Sequence, residues 1–102
     1  LMSIITRFRL YPIALSADIA KMYRQVGLEE PDRDFHRMLW REDPSEPMQH
    51  LRMKRVTYGI SSSAFHAIRC LMEIADRTTN PTVELCLRHC FYVDDVLGGV
   101  NT

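Results

Sequence analysis

Phe91-Tyr92-Val93-Asp94-Asp95-Val96-Leu97 places two adjacent carboxylates inside an otherwise apolar run. The aromatic and branched residues on both sides favour extended backbone. Carboxylates without partners are costly in apolar surroundings, and a turn that presents both to a divalent cation removes much of that cost. Oxygen ligands of this kind suit Mg²⁺ or Mn²⁺. The stretch therefore predicts a strand, a tight turn with Asp94 and Asp95 at its tip, and a second strand, although Asp is also common in plain surface turns.

A second strand-like run, Ile13–Ile19, contains the carboxylate Asp18 near its end. Its nearly continuous apolar character predicts a strand that is buried on both faces. If the two strands are neighbours in one sheet, Asp18 completes a site with the adjacent pair. Two-metal phosphoryl transfer requires such carboxylates from separate elements, because they hold two cations about 3.5–4 Å apart.

For the rest of the chain the sequence predicts helices and one hairpin. Helical spacing and cap residues give most of these boundaries, and alternation gives the hairpin. The expected buried face of the longest helix consists of Phe65, Ile68, Leu71, Met72 and Ala75. The predicted elements are the end of a helix over Ser3–Leu10, a helical turn over Ala20–Val26, an antiparallel hairpin of Asp34–Trp40 and Gln49–Val56, a helix from about Ser62 to Arg77, and a short helix over Pro81–His89. A strand through Val83–Leu87 is the alternative to the last helix, because that stretch begins with a β-branched residue.

Length, charge and cysteine content restrict the class of protein. At 102 residues the chain is one domain at most, and it has no apolar run long enough for a transmembrane helix. Its 13 basic and 13 acidic residues give a formal net charge of zero, which argues against a segment that grips a nucleic-acid duplex alone. Three cysteines fit a reducing compartment better than a disulfide framework. Cys86, His89 and Cys90 lack the fourth ligand of a structural zinc site, so we interpret the thiols as packing residues.

Three stretches in order resemble the motifs of reverse transcriptases. Tyr92-Val93-Asp94-Asp95 is similar to the Tyr-x-Asp-Asp box, which is motif C of that family. Ser16–Val26 resembles motif A, an Asp followed five residues later by an aromatic residue, and Arg55–Phe65 resembles motif B, a Gly turn that opens a helix. The residues of these stretches are most similar to those of the Pao/BEL group of long-terminal-repeat retrotransposons, and Leu39-Trp40-Arg41 resembles a further short motif of that group. A single box is a weak signal, whereas three in this order are a strong one.

The resemblance implies an α+β fold, namely a polymerase palm-like antiparallel sheet with helices packed on one face. Residues 1–102 would then be the palm core that carries motifs A, B and C, and we expect it to be truncated at both ends. The implied activity is that of an RNA-directed DNA polymerase, with two-metal nucleotidyl transfer to a primer 3′-hydroxyl. Asp18 and Asp94 would bridge two Mg²⁺ (or Mn²⁺) ions, Asp95 would support the site, and the Ile19 carbonyl would add a ligand.

The same resemblance implies roles for residues around the carboxylates. Tyr23 would lie under the sugar of the incoming deoxynucleoside triphosphate, and Tyr58 and Gly59 would shape the nucleotide pocket. Gly59 is expected to allow close backbone approach. Tyr92 would pack near the primer terminus. On the predicted hairpin, the basic residues Arg52 and Lys54 would face template or primer phosphates, and a solvated strand face is the alternative for both of them.

The implied partners are an RNA/DNA template-primer duplex, deoxynucleoside triphosphates, and the fingers, thumb and RNase H regions of a polyprotein, without a membrane. The implied location is intracellular, in a cytoplasmic particle or the nucleus. We expect the isolated segment to have little or no activity, because the clamping regions lie outside it. Two alternatives remain open: an inactive retroelement relic that acts as a nucleic-acid or protein interaction module, and an unrelated metal-dependent phosphohydrolase.

Overall fold

The computed structural model describes every residue from Leu1 to Thr102. It is an α+β fold with two antiparallel sheets, as the sequence predicted for the fold class. The elements in chain order are α1 (Met2–Phe8), β1 (Ile13–Asp18), α2 (Met22–Gln25), a 3₁₀ helix (Pro31–Phe35), β2 (Arg37–Trp40), β3 (Gln49–Arg52), α3 (Ser63–Arg77), α4 (Pro81–His89), β4 (Phe91–Tyr92) and β5 (Asp95–Val100).

The main sheet has the strand order β1-β5-β4, and every neighbouring pair is antiparallel. Residues directly opposite each other in an antiparallel ladder point to the same side of the sheet. Phe91, Val96 and Ala17 therefore share one side, which we call the helix face. Tyr92, Asp95 and Asp18 share the other side, which we call the carboxylate face.

The small core lies on the helix face. Met22, Ala67 and Leu71 form its buried centre, where α2 and α3 meet. Partly buried apolar residues from the ends of β1 and α4 and from β4 and its turn pack around that centre: Ile19, Tyr23, Val26, Met72, Leu87, Phe91 and Val93. This packing fixes the turn between β4 and β5 against the helices.

The burial predicted for β1 was wrong, and the buried face predicted for α3 was right only for Leu71 and Ala75. All six residues of β1 are exposed, although its apolar sequence predicted burial on both faces. On α3 the buried residues are Ser63, Ala67, Leu71 and Ala75, whereas Phe65 is 64% exposed. The physical reason is that no helix packs closely on β1, and that α3 turns only one side toward the core of Met22, Ala67 and Leu71.

Helix α4 was predicted with the correct bounds, and local interactions explain its position. Asn80 caps its first turn, with side-chain Oδ1 accepting from the N–H groups of Thr82 at 3.0 Å and Val83 at 3.3 Å. At the other end, the Arg7 guanidinium of α1 donates to the His89 carbonyl at 2.7 Å, where the helix dipole favours a cation. The two long helices are also joined by Arg88 and Asp76 at 2.5 Å.

The hairpin of β2 and β3 is shorter than predicted. Asp34 and Phe35 belong to the 3₁₀ helix rather than to the strand, and β3 ends at Arg52. Arg37 and Arg52 lie directly opposite each other across the hairpin, which is unfavourable for like charges. The carboxylate of Asp34 contacts both, at 2.6 Å and 2.8 Å, and thereby ties the 3₁₀ helix to the hairpin.

Gly98 and Gly99 lie inside β5. A Cβ on Gly99 would collide with the side chain of Tyr11 and would lie 2.5 Å from the Ile13 carbonyl oxygen. The second glycine therefore lets the chain that enters β1 pass close over β5.

The molecule is extended. Its accessible surface is 7900 Å², against about 6,000 Å² for a compact globular chain of this mass. Its radius of gyration is 18.3 Å, against about 13 Å for a compact chain of this length. The hairpin accordingly presents exposed Met38, Trp40 and Leu51. None of the helices has both the length and the apolar character needed to cross a membrane.

Candidate metal centre at the end of the main sheet

The centre of the site is the pair formed by Asp18 and Asp95. The ladder between β1 and β5 places them opposite each other, and Tyr92 of β4 lies on the other side of Asp95 in the same row. All three side chains are therefore on the carboxylate face, opposite the helices. The structure brings together residues that are distant in the sequence, as the predicted neighbouring strands required.

The backbone hydrogen bonds show that Asp18 and Asp95 form the closer of the two kinds of antiparallel residue pair. The Ile19 N–H donates to the Asp94 carbonyl at 2.9 Å, just beyond the pair. In an antiparallel ladder this bond flanks a non-hydrogen-bonded pair, whose Cα atoms are about 4.5 Å apart and whose side chains approach closely. Neither Asp18 nor Asp95 forms a salt bridge. Two carboxylates at such a position repel each other unless a cation lies between them.

The turn that carries Asp94 differs from the prediction by one residue. Its two central residues are Val93 and Asp94, and Asp95 is already the first residue of β5 and pairs with Tyr92. Only Asp94 lies at the tip. Val93 has φ +58°, which is a rare value for a β-branched residue and corresponds to a position where a two-residue turn of type II′ favours glycine.

The packing of Val93 explains why this backbone geometry persists. Its side chain is half-buried against the core centre of Met22, Ala67 and Leu71. The core therefore holds the turn, and the turn holds Asp94 next to the end of β1. Sequence analysis did not identify Val93 as a site residue, because its apolar character resembles that of any strand residue.

Ile19 is the residue for which the resemblance implied a backbone ligand. Its N–H donates to Asp94, and its carbonyl accepts from the Met22 N–H at 3.1 Å. This second bond begins the turn into α2, and Lys21 within that turn has φ +54°. The carbonyl retains one free lone pair for a further contact.

Two of the proposed nucleotide-binding residues are in contact. The rings of Tyr23 and Tyr58 have centroids 4.9 Å apart at an interplanar angle of 52°. Tyr23 is half-buried at the edge of the core, whereas Tyr58 is exposed. Gly59 has φ +82°, which favours glycine, and a Cβ there would meet no protein atom within 4 Å. Close approach of a ligand to this backbone stays a prediction.

The two basic residues that we predicted to face phosphates differ in whether carboxylates already contact them. The guanidinium of Arg52 contacts Asp34 at 2.8 Å and Glu30 at 3.3 Å, so a nucleic-acid phosphate would compete with two carboxylates. Lys54 is exposed and forms no salt bridge. Contact of either residue with phosphates stays a prediction.

The three carboxylates have the chemistry that a hard divalent cation prefers, but their side chains do not converge on one point as a complete set of metal ligands. Asp18, Asp94 and Asp95 supply carboxylate oxygens at one end of the sheet, which is the chemistry that Mg²⁺ prefers. No group of three or more His, Cys, Asp or Glu side chains converges for a metal ion. Mg²⁺ commonly uses one or two protein carboxylates together with waters and substrate phosphates, and the facing pair of Asp18 and Asp95 fits that mode.

The thiols near the turn are packing residues in this structure. Cys86 and Cys90 are half-buried, one helical turn apart, and not joined by a disulfide. Burial raises the pKa of the Cys86 thiol, with further increases from the neighbouring Cys90. A neutral thiol is a poor metal ligand.

Comparison with known proteins adds no assignment to this geometry. No protein-family model, curated protein or solved structure matches the chain.

Proposed function

We propose that this chain is the palm core of a reverse transcriptase of the Pao/BEL retrotransposon type, with the activity of an RNA-directed DNA polymerase. The observation that supports it most is the facing pair of Asp18 and Asp95, which lies beside the turn residue Asp94 and has no cationic side chain for a partner. Like charges at a close ladder position are costly, and a divalent cation offsets that cost. The stretches that resemble motifs A and C contribute Asp18 and Asp95, which lie on neighbouring strands.

In this proposal Asp18, Asp94 and Asp95 hold two Mg²⁺ or Mn²⁺ ions. Bound there, the ions supply charge stabilisation at the attacking and leaving oxygens of a phosphoryl transfer. The position of the carboxylates on the open face of the sheet leaves room for a template-primer duplex, since the helices occupy the opposite face.

The aromatic residues have separate positioning roles. Tyr92 lies in the same row as the two facing aspartates and would contact the primer terminus. Tyr23 would support the sugar of the incoming deoxynucleotide, and its contact with Tyr58 at 4.9 Å restricts the orientation of its ring. The Gly59 turn would shape the edge of that pocket. The further partners proposed are the fingers, thumb and RNase H regions of a polyprotein.

Primer extension tests this function. The natural polypeptide that contains the chain is given an RNA template, a DNA primer and deoxynucleoside triphosphates, with Mg²⁺ or with a chelator. Asp94→Asn and Asp18→Asn are compared with Glu42→Gln, a matched change at an exposed carboxylate of the hairpin loop. We expect metal-dependent extension that falls at least about 1,000-fold in both aspartate variants and persists in the control. Extension that survives the aspartate variants, or none from a folded polypeptide, would contradict the proposal, and the latter result would favour the inactive relic.

A further inference from the structure

Two residues of the chain have a backbone conformation that favours glycine, and both lie beside the candidate metal centre. Lys21 has φ +54° and Val93 has φ +58°, and no other residue except Gly59 has a positive φ. Such values are uncommon outside glycine, and for a β-branched residue such as valine they are rare. Strained positions of this kind persist only where the surrounding structure holds them, and they concentrate at functional sites.

A single backbone hydrogen bond joins the two turns that contain these residues. The Ile19 N–H donates to the Asp94 carbonyl at 2.9 Å, immediately beyond the ladder of β1 and β5. Val93 directly precedes Asp94, and Lys21 follows two residues after Ile19. A change of φ at either strained residue would therefore turn one partner of this hydrogen bond away from the other.

Both turns have a non-glycine residue at a position where the turn type favours glycine. The Met22 N–H donates to the Ile19 carbonyl at 3.1 Å, which closes a four-residue turn with Lys21 as its third residue. A positive φ at the third residue characterises a type II turn, which favours glycine or asparagine there. Val93 occupies the first central position of a type II′ turn, which also favours glycine. Local sequence preference therefore holds neither turn in this conformation.

The same buried centre holds both turns. Met22 directly follows Lys21 and is 5% exposed, because it belongs to the centre that it forms with Ala67 and Leu71 of α3. Val93 packs against that centre as a half-buried side chain. Releasing either turn would expose apolar surface, which costs free energy. The packing of α2 against α3 therefore opposes the relaxation of both strained residues.

We propose that Lys21 and Val93 are positioning residues of the candidate metal centre. Their strained conformations keep the Asp94 carbonyl on the Ile19 N–H, and thereby keep the Asp94 carboxylate beside the end of β1 before any cation binds. This preorganisation increases the fraction of chains that can bind the ion, and so increases the apparent affinity. The proposal rests on the proposed function, because the carboxylate that is positioned belongs to the candidate metal centre.

Two variants at position 93 separate the backbone role of this residue from its packing. Val93→Gly removes the side chain and leaves φ free, whereas Val93→D-Ala removes most of the side chain and still favours a positive φ. Both variants are made by ligating residues 1–89 to a synthetic peptide of residues 90–102, because Cys90 supplies the thiol that the ligation requires. The unchanged chain assembled in the same way is the control.

The readouts are hydrogen exchange of the Ile19 amide in EDTA and affinity for Mn²⁺, measured by electron paramagnetic resonance of the free ion. We expect Val93→Gly to exchange the Ile19 amide at least about tenfold faster and to bind Mn²⁺ about tenfold more weakly, because the binding-competent turn becomes a minor conformation. Val93→D-Ala should keep both values within about twofold of the control. Equal losses in the two variants would show that Val93 acts through packing alone and would overturn the proposal.

A second pair of variants tests Lys21 without changing the core. Lys21→Asn removes the charge but tolerates the left-handed conformation, whereas Lys21→Val disfavours it. We expect Lys21→Asn to retain both the protection of the Ile19 amide and the Mn²⁺ affinity, and Lys21→Val to lose about tenfold in each. Equal values for the two variants would overturn the role of Lys21.

The exchange rates distinguish a failure of this proposal from a failure of the proposed function. If the exchange rates differ as expected but the unchanged chain binds no Mn²⁺, the positioning of Asp94 is supported and the metal centre is contradicted. If all variants bind Mn²⁺ equally and protect the Ile19 amide equally, the metal centre is supported and the positioning roles are overturned.

Discussion

Asp18 of β1 and Asp95 of β5 face each other across a non-hydrogen-bonded position of the main sheet. This is the closest type of cross-strand position, and it holds two carboxylates that no basic side chain neutralises. A sheet selected for stability alone would place opposite charges or branched apolar residues there. The pair therefore lowers stability locally unless a cation lies between the two carboxylates, as we propose.

The first prediction is that removing one charge stabilises the metal-free chain. Asp95→Asn should raise the melting temperature in EDTA by about 1–5 °C, because it relieves the repulsion with Asp18. Adding Mg²⁺ should raise the melting temperature of the unchanged chain more than that of the variant. Circular dichroism melts measure both, with Glu42→Gln as the neutral comparison. A variant that melts lower in EDTA would show that the facing pair is not repulsive.

A second prediction concerns the close approach over β5. Gly99→Ala should lower the free energy of unfolding by about 1–3 kcal/mol, because its Cβ would lie 2.5 Å from the Ile13 carbonyl oxygen. Gly27→Ala is the control, since a Cβ there would only reach an Arg55 guanidinium nitrogen at 3.7 Å. Urea unfolding followed by circular dichroism compares them. Equal midpoints for the two variants would mean that Tyr11 does not pass over Gly99 in solution.

A third prediction follows from the ion pairs at the base of the hairpin. The hydrogen bond from Arg37, with the charges of Arg52 and Arg37, holds the pKa of Asp34 below its ordinary value of 3.8. A lowered pKa in the folded state stabilises the hairpin above that ordinary value, and the contribution is lost as the pH falls through the lower folded-state pKa. The hairpin should therefore loosen under acid conditions below pH 3.8.

Fluorescence of Trp40, the single tryptophan, reports on the hairpin. The unchanged chain should show an emission shift as the pH falls from about 5 to about 2. Asp34→Asn should show most of this shift already at neutral pH, since Arg37 and Arg52 then face each other without the carboxylate that contacts both of them. Asp43→Asn in the hairpin loop is the control. If Asp43→Asn also shows most of the emission shift already at neutral pH, the effect belongs to the loop and not to Asp34.

A fourth prediction uses the cysteines. Burial and the neighbouring Cys90 raise the pKa of Cys86, which lowers its thiolate fraction at a given pH. Alkylation with iodoacetamide near pH 8 should therefore modify the exposed Cys70 first and Cys86 much later. Mass spectrometry of digested samples gives the order of modification. In the urea-unfolded chain the two cysteines should be modified at similar rates. Rapid labelling of Cys86 in the folded chain would contradict the packing of α4 against β4.

Local sequence signals predicted most of the elements. The Asn80-Pro81 signal gave α4 with its bounds, and apolar spacing gave α3 within one residue. The hairpin was found, but Asp34 and Phe35 were assigned to its first strand, because alternation cannot distinguish a strand from a 3₁₀ turn that begins at Pro31.

Long-range relationships were less accessible. The sequence predicted that Asp18 and Asp94 belong to one site, but the partner of Asp18 in the ladder is Asp95, and only the register of β1 and β5 decides between neighbours. Burial on β1 was overestimated, since apolar composition does not show whether a helix covers a given strand. The empty space around Gly59 and the collision at Gly99 also depend on chain segments that are distant in sequence.

The most direct test of the metal centre is paramagnetic broadening by Mn²⁺ in NMR spectra of the chain. Substoichiometric Mn²⁺ should broaden the amide signals of Asp18, Asp95 and Tyr92 first, and excess Mg²⁺ should restore them, because carboxylate oxygens accept either ion and the two ions would compete for the proposed site. The combined variant Asp18→Asn with Asp95→Asn should lose the broadening, whereas Glu42→Gln should keep it. Broadening that is centred elsewhere, or that survives the combined variant, would contradict the account.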